Sequence, residues 1–128
     1  PTPRGWETVL LVEDEDAVRG VVREALRLSG YRVLEARGGA EALEVAGGHA
    51  SAIHLVLSDG VMPGLDGPET ARRVLALHPE ARVLYLSGHP AGGGAAGPEA
   101  EWLQKPVSPD ALARRVREVL DRPAGALR

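Results

Sequence analysis

The chain has 128 residues, 44% of them hydrophobic, a formal net charge of −3 and a pI near 5.8. That size and apolar content suit one globular domain with a core of its own, and the mild acidity gives no general drive toward nucleic acid. Cysteine is absent, which excludes disulfide and thiolate chemistry and fits a reducing cytosol; no run nears the ~20 apolar residues of a membrane span, and no signal peptide is expected.

Residues 1–6 carry two prolines and a glycine and read as a linker, with Trp6 a packing residue at the start of the first strand. Glu7 to Val12 then form a strand around Val9-Leu10-Leu11-Val12, followed directly by the acids Glu13, Asp14 and Glu15. From Asp16 the period changes: Val18, Val21, Val22, Ala25 and Leu26 share one helical face, and Gly30 suits a left-handed stop. Tyr31 to Ala36 alternate as a second strand. Gly38-Gly39 turn the chain into a short helix over Ala40 to Ala46, which Gly47-Gly48 end.

The third strand is the apolar run Leu55-Val56-Leu57-Ser58, buried on both faces and ending at Asp59. Met62 to Gly67 are a loop. Pro68 opens a helix continued by Ala71, Val74, Leu75 and Leu77 and stopped by His78-Pro79. Val83 to Leu86 form a fourth strand ending at Ser87-Gly88, and His89 to Pro98 read as a mobile glycine-rich loop with at most one helical turn. Trp102-Leu103-Gln104 are a short fifth strand before Lys105-Pro106. Ser108-Pro109-Asp110 start a last helix whose apolar face is Leu112, Val116, Val119 and Leu120; Pro123 ends it. Five strands alternating with about five helical segments call for a parallel sheet covered on both faces by right-handed crossovers. The domain is expected over residues 7–122, with 123–128 a frayed tail.

Parallel strands deliver their carboxyl ends to one edge, where open α/β sheets bind ligands. Here that edge carries Glu13 and Asp14 from the first strand, Asp59 from the third, Ser87 from the fourth and Lys105 from the fifth. Two carboxylates ~4 Å apart repel by roughly 4 kcal/mol at an effective dielectric near 20, so three acids need a cation. Lys105 supplies one charge, and a hard-oxygen ligand set fits Mg²⁺ better than Zn²⁺ for the rest. Such a site puts a phosphoryl group beside a metal: Asp59 is the natural nucleophile, Lys105 offsets charge, and Ser87 can donate a hydrogen bond to a phosphoryl oxygen.

The sequence resembles the receiver domain of bacterial two-component response regulators. The resemblance rests on Val9-Leu10-Leu11-Val12-Glu13-Asp14-Glu15, on Asp59-Gly60-Val61-Met62-Pro63-Gly64-Leu65-Asp66-Gly67, on Leu86-Ser87-Gly88 and on Lys105-Pro106. It implies a flavodoxin-like, three-layer (βα)5 fold with strand order 2-1-3-4-5. It implies Asp59 as phosphoacceptor, Asp14 as a direct Mg²⁺ ligand with Glu13 acting through water, the Val61 carbonyl as a further ligand, Ser87 and Lys105 on the phosphoryl group, and Trp102 as the aromatic switch. A histidine kinase, in cis or in trans, supplies the phosphoryl group from a phosphohistidine, and the receiver catalyses its own transfer and hydrolysis. A histidine phosphotransfer protein is a further implied partner. Nucleic acid and direct membrane contact are not expected, the chain is expected to be cytoplasmic and a monomer or weak dimer, and the termini most resemble receivers fused to the end of hybrid sensor kinases.

Two features depart from the family pattern. The segment between Ser87 and Trp102 is short, so the fourth helix is expected to be vestigial. Val61, which cannot hold an attacking water, and His89, which has the nitrogens for it, flank the site, so phosphoryl lifetime is expected to depend on both. His49, His54 and His78 lack metal-ligand spacing and read as surface or strand-end residues; Arg72-Arg73 and Arg114-Arg115 read as solvated helix faces. Three other functions fit less well. A flavin-binding electron carrier would need a phosphate loop where three acids stand, and an aspartyl phosphatase usually carries an acid at the place of Val61. A degenerate receiver acting as an interaction module without phosphorylation would lack key residues that are present here.

Overall fold

The computed structural model describes residues 2–88 and 100–123. Five parallel strands, β1 (Thr8–Val12), β2 (Arg32–Ala36), β3 (Leu55–Asp59), β4 (Arg82–Ser87) and β5 (Trp102–Gln104), form one sheet in the order β2-β1-β3-β4-β5. Four helices are described: α1 (Asp16–Leu28), α2 (Gly39–Gly48), α3 (Gly67–Leu77) and α4 (Pro109–Leu120). The expected vestigial fourth helix, and His89 with it, fall outside the described residues. No described helix is long and apolar enough to cross a membrane.

The two central strands show why the order is fixed. Every residue of β1 and β3 is buried, as runs covered on both faces must be. Alternate residues feed two separate cores: Val9, Leu11, Leu55 and Leu57 pack with α1 and α4, while Leu10, Val12 and Val56 pack with α2 and α3. α2 presents Gly39, Ala42 and Ala46 to its core, small residues that let a helix lie close to the sheet. β2 is an edge strand and correspondingly only part-buried.

Local chemistry sets the helix ends. Gly30 has φ +99°, the left-handed turn expected after α1. The Asp66 side chain accepts the Glu69 N–H at 2.9 Å and caps α3; Ser108 does the same for α4 through the Ala111 N–H at 3.1 Å. The sequence reading named Ser108 as a cap and passed over Asp66.

Several expectations need correction. Gly47-Gly48 lie within α2, which ends at an extended His49; neither has positive φ, so nothing there forces a stop. Val21 is 60% exposed and Leu77 53%, because each sits at the margin of its helix's apolar stripe. Trp6 is 72% exposed and touches the His54 ring edge-on, centroids 5.1 Å apart. His78 is buried, held by its Nε2 to the Ala46 carbonyl at 2.8 Å, and so joins the ends of α2 and α3. His54 Nδ1 accepts the Thr8 N–H at 3.0 Å. Arg72 and Arg73 are solvent-facing partners of Glu69, but Arg115 is drawn in by the buried Glu101 at 2.6 Å.

Candidate functional site

Register brings the acids together. Val12 pairs with Ser58 across β1 and β3, so the next residue on each strand, Glu13 and Asp59, emerges side by side. The Glu13 N–H still bonds the Ala36 carbonyl at 3.0 Å, extending the ladder one step before the chain turns. Glu13 is fully buried, Asp59 nearly so, and Asp14 is exposed at the rim. Carboxylate oxygens of Glu13, Asp14 and Asp59 lie within 4.8 Å of one another.

Lys105 reaches into this group from the end of β5. Its Nζ is 2.8 Å from Glu13 Oε1 and 2.5 Å from Asp59 Oδ1, while Glu13 Oε2 accepts the Glu15 N–H at 3.0 Å. Both Glu13 oxygens are therefore engaged. The Lys105 N–H bonds the Ser87 carbonyl at 2.7 Å, which places the lysine; the Lys105–Pro106 peptide is cis, which the sequence reading did not anticipate.

The charges are strongly coupled. Burial first, then the neighbouring Glu13, push the Asp59 carboxyl up to about 8, with Lys105 opposing. Burial would raise Glu13 as well, but hydrogen bonds from Asp59, Lys105 and the Glu15 amide outweigh it and hold Glu13 low. Burial disfavours the Lys105 ammonium, and the two carboxylates more than offset that. Like charges confined at this distance cannot both stay ionised without a countercharge.

The remaining predicted residues sit around this centre. Ser87 is buried at the end of β4, one position beyond Leu86, the partner of Asp59. The side chain of Val61 is 80% exposed. Trp102 stacks on Tyr85, with centroids 4.9 Å apart and planes at 34°, and its ring lies over Gly60. Sequence reasoning missed Arg19, whose Nη1 donates to the Glu13 carbonyl at 3.0 Å; a cation three residues beyond the acidic run that ends at Asp16 was the available signal.

Comparison with known proteins agrees with this geometry. The family model for the response regulator receiver domain matches residues 9–117. The chain is 43% identical over 123 residues, 92% of its length, to the sensor kinase CckA of Brucella abortus, of which it spans only 13%. The crystal structure of the receiver domain from the hybrid histidine kinase CckA superposes with TM-score 0.77 at 41% identity, covering 89% of this chain and 99% of that one. The response regulator TrrA of Thermotoga maritima, solved in complex with Mg²⁺-BeF, matches with TM-score 0.75 at 27% identity, covering 88% of this chain and 98% of that one. Strand order, acidic centre and family match agree: the chain belongs to the response regulator receiver domain family.

Proposed function

We propose that Asp59 accepts a phosphoryl group from a phosphohistidine of a histidine kinase, and that the domain, placed at residues 7–122, switches the surface near β4 and β5 in response. One observation carries the reading: the Asp59 carboxylate lies at a parallel-sheet edge in contact with Lys105 and within 4.8 Å of Glu13 and Asp14. The Asp59 oxygen attacks phosphorus, the P–N bond breaks, and its electron pair returns to the imidazole nitrogen.

The donor set fits Mg²⁺, being all hard oxygen. Asp59, Asp14 and the Val61 carbonyl would hold the ion, with Glu13 acting at one remove because both of its oxygens are engaged. Bound there, Mg²⁺ supplies positive charge that keeps Asp59 ionised and offsets charge on the phosphoryl oxygens. Lys105 stays within reach of the acceptor throughout. Ser87, buried at the adjacent strand end, donates to a phosphoryl oxygen, and Trp102 follows it. Hydrolysis returns the free carboxylate; exposed apolar Val61 cannot orient a water and His89 has the nitrogens to do so, and the rate is proposed to depend on both.

The likeness to CckA supports a place in a hybrid kinase, with the donor in cis, over a free-standing regulator with the donor in trans. A histidine phosphotransfer protein is a second proposed partner, and the cytoplasm the proposed compartment. The flavin-carrier reading is disfavoured by three carboxylates where a phosphate would sit, and the degenerate receiver by the intact acid–lysine cluster.

Incubation with Mg²⁺ and acetyl phosphate tests the reading. Intact mass should show one phosphoryl adduct in wild type, none without Mg²⁺, and none in Asp59→Asn. An adduct of equal yield in Asp59→Asn would end it.

A further inference from the structure

We propose that Arg19 is a positioning residue for the acidic site: from α1 it fixes the carbonyl of Glu13 and thereby sets how Asp14 presents its carboxylate to a divalent cation. This rests on the phosphoacceptor reading above.

Four consecutive acids, Glu13 to Asp16, connect β1 to α1. Lys105 contacts the buried member on the sheet side. On the helix side the guanidinium of Arg19 spans the turn. Its Nη1 donates to the Glu13 carbonyl at 3.0 Å, its Nη2 pairs with Asp16 at 2.6 Å, and its Nε lies 3.4 Å from Glu35 of β2. The Arg19 side chain is only 12% exposed although it is charged. A rigid fork with this many donors in one plane suits such a three-way contact.

The consequence follows from peptide geometry. The Glu13 carbonyl belongs to the peptide unit that joins Glu13 to Asp14, and that unit is planar. Holding its oxygen from α1 while the Glu13 N–H is held by Ala36 fixes the direction in which Asp14 leaves the strand. The Glu13 side chain holds the far end of the turn through the Glu15 N–H at 3.0 Å, and the N-cap Glu15 makes no side-chain capping bond, so the donor to the Glu13 carbonyl itself comes from Arg19. Without Arg19 the carbonyl loses its donor; the acids also lose a competing positive charge, which by itself favours Mg²⁺, so weaker binding reads the lost orientation rather than the lost charge. Loss of the groups that orient metal ligands typically weakens metal binding 10–100-fold.

The test is an NMR titration of the full chain with MgCl₂, following the amides of Glu13 to Glu15 and Asp59 below the melting temperature of each variant. Arg19→Ala should bind Mg²⁺ about tenfold more weakly than wild type. Glu35→Gln loses an ion pair of Arg19 but keeps the carbonyl contact, and should bind as wild type does. Equal affinity in Arg19→Ala and wild type would overturn the proposal, as would a tenfold loss in Glu35→Gln. Should Arg19→Ala not fold, Arg19→Lys decides: with the charge kept and the fork lost, binding should weaken toward the ~10-fold expected for loss of an orienting group, and unchanged binding overturns the proposal. Wild-type amides that never saturate would instead sink the phosphoacceptor reading, and this inference with it.

Discussion

Gly67 and Gly60 are both crowded, with different consequences. A Cβ at Gly67 would lie 2.1 Å from the Asp59 carbonyl oxygen and 2.9 Å from Gly60 Cα, both main-chain atoms. The start of α3 is pressed against the strand end that carries the acceptor, and backbone cannot swing aside. Gly67→Ala should therefore cost at least about 2 kcal/mol, read as a fall in the urea midpoint, and should slow phosphorylation from acetyl phosphate by displacing Asp59. A Cβ at Gly60 would instead meet the far edge of the Trp102 ring at 2.7 Å, and a side chain can tilt. Gly60→Ala should cost less than about 1 kcal/mol yet shift the Trp102 indole N–H resonance. Equal destabilisation by the two substitutions would refute this distinction. Neither contact was legible in the sequence: Asp59-Gly60 and Asp66-Gly67 both read as loop glycines, and only the fold shows which one faces backbone.

Between elements, the most consequential restraint missed from sequence is charged. Glu7, at the foot of β1, is buried and receives Arg117 Nη2 of α4 at 2.6 Å, with Tyr31 Oη also within 3.4 Å of that arginine. Burial alone would raise the Glu7 carboxyl, but the Arg117 hydrogen bonds, aided by the Trp6 N–H, outweigh it and bring it down to about 2 from 4.5. A depressed acid stabilises the native state above its unfolded value, and that stability is lost as pH falls toward the folded value. The contribution, about 3 kcal/mol at full size, should thus be complete above pH ~4.5 and disappear between there and about 2. Urea unfolding of wild type and Glu7→Gln across that window isolates it: the gap between them should close as pH falls, and a constant gap contradicts the assignment. The periodicity of β1 and α4 identified both elements but not this pair, because 110 residues separate its members. Asp66 was missed for a local reason, since Asp-Gly reads first as a turn. Asp66→Ala should cost about 1 kcal/mol through the lost α3 cap, measurable by the same unfolding assay.

At the scale of the whole molecule, what could be read from sequence was what recurs: apolar runs of strand length, each closed by a polar residue. Those closures are Glu13, Asp59, Ser87 and, just past β5, Lys105, so a parallel sheet and its reactive edge were legible together. What could not be read was how the charges settle once gathered, with Glu13 fully buried and Lys105 bridging it to Asp59. That arrangement trades stability for chemistry. Two carboxylates within 4.8 Å of each other, when both are ionised, repel by at least roughly 3 kcal/mol at an effective dielectric of about 20, and one ammonium, itself partly desolvated, offsets only part of the cost. Above about pH 8, where Asp59 is ionised even without a metal, Asp59→Asn keeps the shape, removes one charge, and leaves Lys105 its bond to Glu13. In EDTA this variant should therefore be more stable than wild type by about 1–2 kcal/mol, despite losing a contact. Mg²⁺ should then stabilise wild type more than the variant, since an ion that binds only the folded state adds stability in proportion to its affinity, and the difference between the two proteins should narrow. Urea midpoints with and without Mg²⁺ measure both effects. A variant less stable than wild type in EDTA would mean that Lys105 fully neutralises the buried acids and that the edge of this sheet carries no electrostatic strain for a cation to relieve.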